Sequence, residues 1–319
     1  MPSKSEILTA IVSEAESGKR LDQALSLLFS EYSRARLQQW IKSGRVMVES
    51  QQRRSKDKVY SGESIAMQVE PEVEVVWQPE NIPLNIIYED NDIIVINKPV
   101  GMVVHPAPGH EAGTLCNALL YHVPDAANLP RAGVVHRLDK DTSGIMVVAK
   151  TLTAHSLLVQ RLQAREISRE YIALVQGELT AGGTVDAAIG RHKVDRKRMA
   201  VLNEFDTNAK HAITHYRIKQ RYHAYTLLDV KLETGRTHQI RVHMAHIQHP
   251  IVGDPVYGGR NRLPKNCSES LRQAIQNFKR QALHAFQLSL KHPVSNQDMS
   301  WQAPLADDIQ QLLTELEVK

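Results

Sequence analysis

His136-Arg137-Leu138-Asp139-Lys140-Asp141-Thr142-Ser143-Gly144 runs without a break into Ile145-Met146-Val147-Val148-Ala149. The second half is a short, uninterrupted apolar run and predicts a buried strand over 144–150. The first half is its opposite: five side chains able to move protons or hold anions fall within the six positions His136 to Asp141. A plain turn, with Asp and Thr capping backbone groups, would explain a lone D-x-[DT] sequence. The density of chemistry here points instead to a functional loop at the edge of a rigid sheet, where catalytic groups commonly sit.

Similar apolar runs recur outward from this segment. Ile93-Ile94-Val95-Ile96, set off by Asp90-Asn91-Asp92, predicts another buried strand, and further strands are predicted over 170–177, 224–231 and 284–290. Helices are predicted over 155–165 and over 237–247, the latter with Ile240, Met244 and Ile247 on one stripe. At the C-terminus Leu305, Ile309, Leu312, Leu313 and Leu316 share a face, and Asp307 and Asp308 suit a first helical turn. Many strands with few βαβ alternations predict an α+β domain on a mixed, largely antiparallel sheet, expected to span 84–319.

A chain of 319 residues is longer than one compact domain usually needs, and a second unit is expected over 1–75. Leu21, Ala24, Leu25 and Leu28 recur at helical spacing. Ser33 suits the N-cap of a second helix whose Ala35, Leu37, Trp40 and Ile41 face inward; Lys42-Ser43-Gly44 closes it, and a short strand covers 45–48. Arg34, Arg36, Lys42 and Arg45 are left for the solvent side of this small α/β unit. Between Lys19 and Lys58 ten Lys/Arg stand against four Asp/Glu, a net +6 that exceeds the +4 of the whole chain. The N-terminal unit is therefore the electropositive part, the footprint expected of a polyanion-binding surface. Pro71, Pro79 and Pro83 with Glu70, Glu72, Glu74 and Glu80 predict a linker over about 69–83.

Hydrophobic residues make up 42% of the chain and charged residues 23%, enough for a sizeable core and against wholesale disorder. Cys116 and Cys267 lie far apart, which argues against a disulfide framework or zinc ribbon and fits a reducing cytoplasm. No secretion signal is read behind Met1, and no apolar run approaches the roughly 20 residues that span a bilayer. A soluble cytoplasmic protein with no membrane partner is expected. No G-x-x-x-x-G-K-[ST] or G-x-G-x-x-G sequence is present, so no nucleotide cofactor is expected.

A second polar cluster, Gly235-Arg236-Thr237-His238-Gln239-Ile240-Arg241-Val242-His243, reads either as an amphipathic helix with a wet face or as a functional element. A metal site from His238, His243, His246 and His249 is disfavoured, because no H-E-x-x-H or suitably offset carboxylate accompanies them. Taken together, the segments resemble the pseudouridine synthases. Residues 136–144 resemble the family's catalytic motif, and Asn97–Pro106 resembles the element before it. Ser168-Arg169-Glu170-Tyr171 with Ala173 and Gly177 is similar to its tyrosine motif, with Arg169 where many relatives carry lysine. Residues 235–243 resemble its arginine-bearing motif, and Gly253-Asp254-Pro255-Val256-Tyr257-Gly258 follows in family order. The pattern from Arg20 to Ile65 is similar to the S4 RNA-binding module. The resemblance covers nearly the whole chain.

The resemblance implies isomerisation of selected uridines to pseudouridine in large-subunit ribosomal RNA. It assigns Asp139 as the catalytic carboxylate, Tyr171 as the ring under the base and Arg241 as the basic partner of Asp139, with Arg236 the weaker candidate. Arg137 matches the arginine that fills the stack after the base has flipped out. Arg20, Arg34, Arg36, Lys42 and Arg45 are expected to contact RNA. Breaking C1′–N1 and rejoining through C5 involves no redox step, so no cofactor is expected, and the protein is expected to be a monomer. Whether Asp139 attacks the sugar or removes a sugar proton stays open. Two other readings are a metal-dependent RNA-acting enzyme using Asp139 and Asp141, and a non-catalytic ribosome-associated RNA-binding protein.

Overall fold

A computed structural model of the protein describes residues 6–29, 32, 34–69, 77–106, 110–195, 198–203, 205–259, 263–264 and 267–317. The chain divides into two compact units, Met1–Val76 and Trp77–Lys319. Ser33 and most of the acidic, proline-containing segment, residues 70–76, lie outside the described residues.

The first unit runs β1 (Glu6–Ile11), α1 (Leu21–Leu28), α2 (Arg34–Lys42), β2 (Val46–Val48), β3 (Gln51–Gln52) and β4 (Ser64–Val69). Its four strands form one antiparallel sheet in the order β1-β4-β2-β3. Leu21, Ala24, Leu25, Leu37, Trp40 and Ile41 are buried and pack with Val46, Val48, Ile65 and Met67 into one core. The helical spacing of the apolar residues thus decides which helix faces turn inward. Strand β1 was not anticipated: Ile7 and Ile11 are exposed, so its sequence lacks a strong inward alternation.

The second unit holds β5 (Ile86–Glu89), β6 (Ile93–Lys98), α3 (Leu115–His122), β7 (Ser143–Ala149), α4 (Leu152–Gln163), β8 (Ser168–Gln176) and β9 (Gly183–Asp186). It continues with β10 (Ile189–Arg191), β11 (Met199–Val201), β12 (Ile213–Tyr222), β13 (Tyr225–Leu232) and α5 (Gln239–His246). Then come α6 (Glu269–Asn277), β14 (Leu283–Lys291), β15 (Asp298–Gln302) and α7 (Asp307–Glu317). The large sheet has the order β5-β6-β7-β14-β8-β13-β12-β9, with β15 added beside β14. It is mixed and largely antiparallel: among the described strands only β14 and β7 pair in parallel. That pairing is short, His284 with Ser143 and Ala285 with Gly144, and β15 takes over the same edge of β14 from Gln287 onward. Every residue of β7 is buried, as its uninterrupted apolar run requires of a strand covered on both faces.

Several boundaries shift from those read in the sequence, and three of the shifts have a visible cause. The helix expected to begin at His155 begins at Leu152, because the Thr151 hydroxyl caps the Ala154 N–H at 3.2 Å. The helix expected from Thr237 begins at Gln239, because His238 is left-handed at φ 55°. Residues 77–83, read as linker, are fastened to α3: Glu80 N–H donates to Asn117 O at 3.0 Å and Asn117 Nδ2 donates to Gln78 O at 2.8 Å.

Candidate active site

The loop before β7 is held at every residue from Lys140 to Ser143. Lys140 O accepts from Gly101 N at 3.0 Å and from Lys98 Nζ at 3.0 Å. Lys98 is fully buried and also donates to Pro99 O at 2.8 Å and Met102 O at 3.0 Å. Burial pulls its ammonium down to about 8, against the opposing pull of Asp141 and Asp139. Asp141 O accepts from Arg280 at 3.1 Å, Thr142 Oγ1 accepts from Gln281 Nε2 at 2.9 Å, and Ser143 Oγ meets His284 Nδ1 at 2.9 Å. Arg280 is itself fixed by both oxygens of Asp308, each at 2.6 Å. Gly144 closes the arrangement. Its φ of 116° is open to glycine alone, and a Cβ there would meet the Ala285 carbonyl oxygen at 2.2 Å.

This scaffold presents the Asp139 carboxylate, 18% exposed, to the guanidinium of Arg241. Arg241 Nη1 donates to Asp139 Oδ2 at 2.9 Å, while Nε and Nη2 clamp Asp254 at 2.7 and 2.9 Å. Arg241 is 5% exposed and Asp254 fully buried, so all three groups exchange hydration for one another. Burial pushes the Asp254 carboxyl up, but the Arg241 hydrogen bonds and charge, with the Tyr257 and Val256 N–H groups, outweigh it and hold it below the usual carboxylate range. The Arg241 guanidinium lies over the Tyr257 ring, 5.1 Å from its centre. Tyr257 OH accepts from Met199 N at 2.8 Å and meets His238 Nδ1 at 2.9 Å, which leaves His238 Nε2 facing Asp139 Oδ2 at 3.9 Å.

Helix α5 is positioned by Gln239. Its side chain accepts from Thr234 Oγ1 and Arg236 N at 2.7 and 3.0 Å and donates to Ile213 O and Thr214 Oγ1 at 2.9 and 3.0 Å. His243 adds a contact to Thr214 Oγ1 at 2.8 Å. The four histidines of the disfavoured metal set do not converge: His249 bonds Gln176 O, His243 bonds Thr214 and Ala187, and His238 faces Asp139. Asp139 and Asp141 belong to no group of three or more potential ligands among the described residues. Among the described residues the grouping with metal-ligand spacing is Asp90, Asp92 and His292, at the opposite end of β7.

Asp139, Arg241, Tyr171 and Arg137 line one cleft with a cavity volume of about 590 Å³. Tyr171 stands in the middle of the sheet, paired with Val230 on one side and Ala285 on the other. Burial raises its phenol, so the ring is neutral near pH 7. Arg137 is exposed at the cleft and makes no hydrogen bond among the described residues.

The basic residues expected to meet RNA lie in the other unit, and Arg20, Arg34 and Arg36 are among those engaged within it. Arg20 and Arg34 both donate to the fully buried Asp22, at 3.1 and 3.0 Å, and remain about half exposed. Arg36 stacks over Trp40 at 4.8 Å. Lys42 is exposed and Arg45 half-buried. Sequence reasoning missed Asp254 as the second partner of Arg241, and it missed the loop-holding roles of Lys98, Arg280, Gln281 and His284. The Asp254 segment was visible as a motif, but nothing in its composition shows which guanidinium it clamps.

An RNA pseudouridylate synthase family model matches residues 92–246, from β6 to the last residue of α5. The ribosomal large subunit pseudouridine synthase D of Pseudomonas aeruginosa is 56% identical over 297 residues, covering 93% of this chain and 92% of that protein. The chain belongs to the RNA pseudouridylate synthase family. The synthase D of Haemophilus influenzae is 54% identical and covers 97% of this chain and 94% of its own length. Among solved structures, human RNA pseudouridylate synthase domain containing 1 shares 25% identity over 79% of this chain and 98% of its own, with a TM-score of 0.53. Human RNA pseudouridylate synthase domain containing 4, at 24% identity, 73% and 92% coverage and a TM-score of 0.57, shares the fold.

Proposed function

We propose that this chain isomerises specific uridines of large-subunit ribosomal RNA to pseudouridine, with Asp139 as the reacting carboxylate. The observation that carries the reading is the Asp139–Arg241–Asp254 arrangement at the wall of a cleft shared with Tyr171. A cation saturated by two acids holds Asp139 in one orientation, while 18% exposure leaves an oxygen edge for substrate. The names of the similar bacterial proteins supply the substrate class.

In this reading the target uridine leaves its stack and enters the cleft, and Arg137, exposed at the cleft, fills the gap. Tyr171 stacks on the flipped base. Asp139 then either bonds to C1′ or takes a proton from the sugar as C1′–N1 breaks. The freed uracil turns and C5 bonds to C1′ as the Asp139–C1′ bond breaks or the sugar proton returns from Asp139; the C5 proton leaves and N1 gains one. Atoms and electrons balance with no oxidant, so no nucleotide cofactor is called for. The basic N-terminal unit, read as an S4-like module, grips phosphates of the same RNA. Ribosomal RNA as substrate calls for an enzyme acting in the cytoplasm.

Pseudouridine mapping in large-subunit ribosomal RNA tests this directly. Cells lacking the protein should lose a small set of modifications, regain them with the wild-type gene, and fail to regain them with Asp139→Asn. An unchanged modification map in the deletion strain would sink the reading.

A further inference from the structure

One buried cation in the cleft is left out of this scheme. Arg169 is 9% exposed and lines the same cavity as Asp139 and Tyr171. Its Nε is buried with no hydrogen-bond partner, and among the described residues its side chain makes no hydrogen bond, ion pair or ring contact. Every other buried arginine described in the cleft region is matched: Arg241 by Asp139 and Asp254, and Arg280 by Asp308. A buried N–H with no acceptor is costly, and the cost signals a ligand that supplies the missing acceptor.

Its surroundings say which part of a nucleotide that ligand is. Arg169 and Tyr171 stand two residues apart on β8, so they project from the same face of the sheet. Their charges act on each other: Arg169 pulls the Tyr171 phenol down against the larger upward push of burial. Burial holds the neighbouring His136 neutral, down to about 3, and the Arg169 charge adds to that effect. His136 Nε2 is further occupied as acceptor from Val147 N–H at 3.2 Å, so it offers Arg169 no counter-charge. The floor beneath the guanidinium is bare backbone: a Cβ on Gly235 would sit 2.7 Å from Arg169 Nη1. Depth separates base from backbone. A flipped nucleotide sends its base to the buried end and leaves its phosphates at the rim, where Arg131, Arg137, Arg165 and Arg236 are exposed.

We propose that Arg169 is a catalytic residue that binds the carbonyl oxygens of the flipped uracil and stabilises the negative charge the base carries while it is detached from the sugar. When C1′–N1 breaks, its electron pair passes to N1 and spreads to O2 and O4. The deficit at C1′ is met by a bond from an Asp139 oxygen or by loss of a sugar proton to Asp139. Either way Asp139 gives up its charge as the base acquires one. The Asp139–Arg241–Asp254 group carries a net single negative charge, and Arg169 is the unmatched positive one near Tyr171. Charge therefore moves within the cleft from the Arg241 side to the Arg169 side, toward a donor already in place.

This inference rests on the proposed isomerase activity, and the test separates the two. Wild type, Arg169→Met and Arg169→Lys are compared in single-turnover loss of the N-glycoside, on a ribosomal RNA fragment carrying uridine or 5-fluorouridine at the target. Fluorine withdraws electrons and makes the base a better anionic leaving group, so a missing cation matters less. R169M should slow cleavage of uridine RNA about 100-fold or more. Its Kd should stay within about threefold, because phosphate contacts carry most of the affinity. On 5-fluorouridine RNA the loss should shrink to about tenfold or below, and R169K should fall between wild type and R169M on both. An equal loss on the two RNAs overturns the proposal, as does weakened binding with a shallower salt dependence, which would mark a phosphate contact. A lowered melting temperature in both variants, with rates matching the unfolded fraction, overturns it in favour of a structural role. Should R169M fail to fold, the same ratio read with R169K decides. Wild type inactive on both RNAs would sink the isomerase reading and this inference with it.

Discussion

Each unit of the molecule buries one aspartate completely and satisfies it with arginine, yet the two clusters end with opposite charge. In the N-terminal unit Asp22 is shared by Arg20, Arg34 and Gln38, the last at 2.7 Å, so one acid serves two cations. Both arginines stay about half exposed, and a net positive charge looks outward. In the larger unit Arg241 is shared by Asp254 and Asp139, so one cation serves two acids. The surplus is negative and sits on the only one of the three groups that substrate can reach. The same pair chemistry thus leaves outward-facing positive charge in one place and a partly exposed carboxylate at a cleft in the other. Stoichiometry and exposure, not residue type, set the role.

Removing the reactive member of the second cluster is the hardest blow to that picture. Asp139→Asn keeps the shape and should reduce single-turnover isomerisation by more than about 10⁴-fold, with Kd changed less than about threefold. Residual turnover near the wild-type rate would break the comparison outright. Arg241→Met comes next, because it takes the counter-ion from Asp254 and leaves it only the Val256 and Tyr257 N–H groups; a buried charge without its counter-ion costs about 3–5 kcal/mol. The variant should melt well below wild type, and the Arg241→Met/Asp254→Asn pair should recover much of that stability but not the activity. Recovery of both would mean that Arg241 serves only Asp254.

The first cluster should fail more gently and through binding. Deleting residues 1–76 should weaken affinity for the RNA fragment about 10- to 100-fold at low salt and flatten the dependence of log Kd on log salt. The remainder should still turn over at high RNA concentration. Arg34→Ala alone should cost only a few-fold and lower the salt slope by about one. An unchanged slope would show that the arginines are spent on Asp22 and have nothing left for phosphate.

Acid offers a finer comparison. For Asp22, burial raises the carboxyl and the hydrogen bonds from Arg34, Gln38 and Arg20 more than reverse it; for Asp254, Arg241 does the same. Both folded values are lowered, so both groups stabilise the fold above the unfolded aspartate value of about 3.9. That contribution drains away as pH falls through the folded values. Denaturant titrations from pH 5 to pH 2 should show the steepest loss in wild type and a shallower one in Asp254→Asn, with a smaller flattening in Asp22→Asn. Parallel curves for all three would remove the carboxylates from the account.

The sequence made the strands of the central sheet readable wherever both faces are buried, because runs such as 93–96 and 145–149 have no other use. It concealed β12, whose ten residues alternate only weakly and are mostly half-buried or exposed, so its polar sequence gives no strand signal. Asp139 and Arg241 were visible as motif residues, and their 2.9 Å contact spans 102 positions, a distance that only the fold closes. Asp254 lies 13 residues beyond Arg241, yet no helical or strand period joins them. The clamps on the loop are remoter still: Arg280 reaches Asp141 and His284 reaches Ser143 across about 140 residues. Arg169 is legible as a basic residue in a motif; that it lacks a partner is a property of the packed state alone.

The forked edge of β14 has a mechanical consequence. Two backbone register pairs with β7 join the three strands β5, β6 and β7 to the rest of the sheet, and the Tyr88–Trp301 ring contact and the Asp90–His292 ion pair add side-chain ties across that line. Asp139 rides on the smaller leaf, while Tyr171 and Arg241 ride on the larger one, so the cleft-lining groups straddle a seam. The gap between them is governed by a hinge line and not by any single strand. The clasps from Arg280, Gln281 and His284 are what keep the leaves in gauge, much as dowels hold two boards whose glued edge is short. Amide exchange should locate this line directly, with the 284–285 and 143–144 amides opening together and ahead of the fully laddered interiors of β8 and β13.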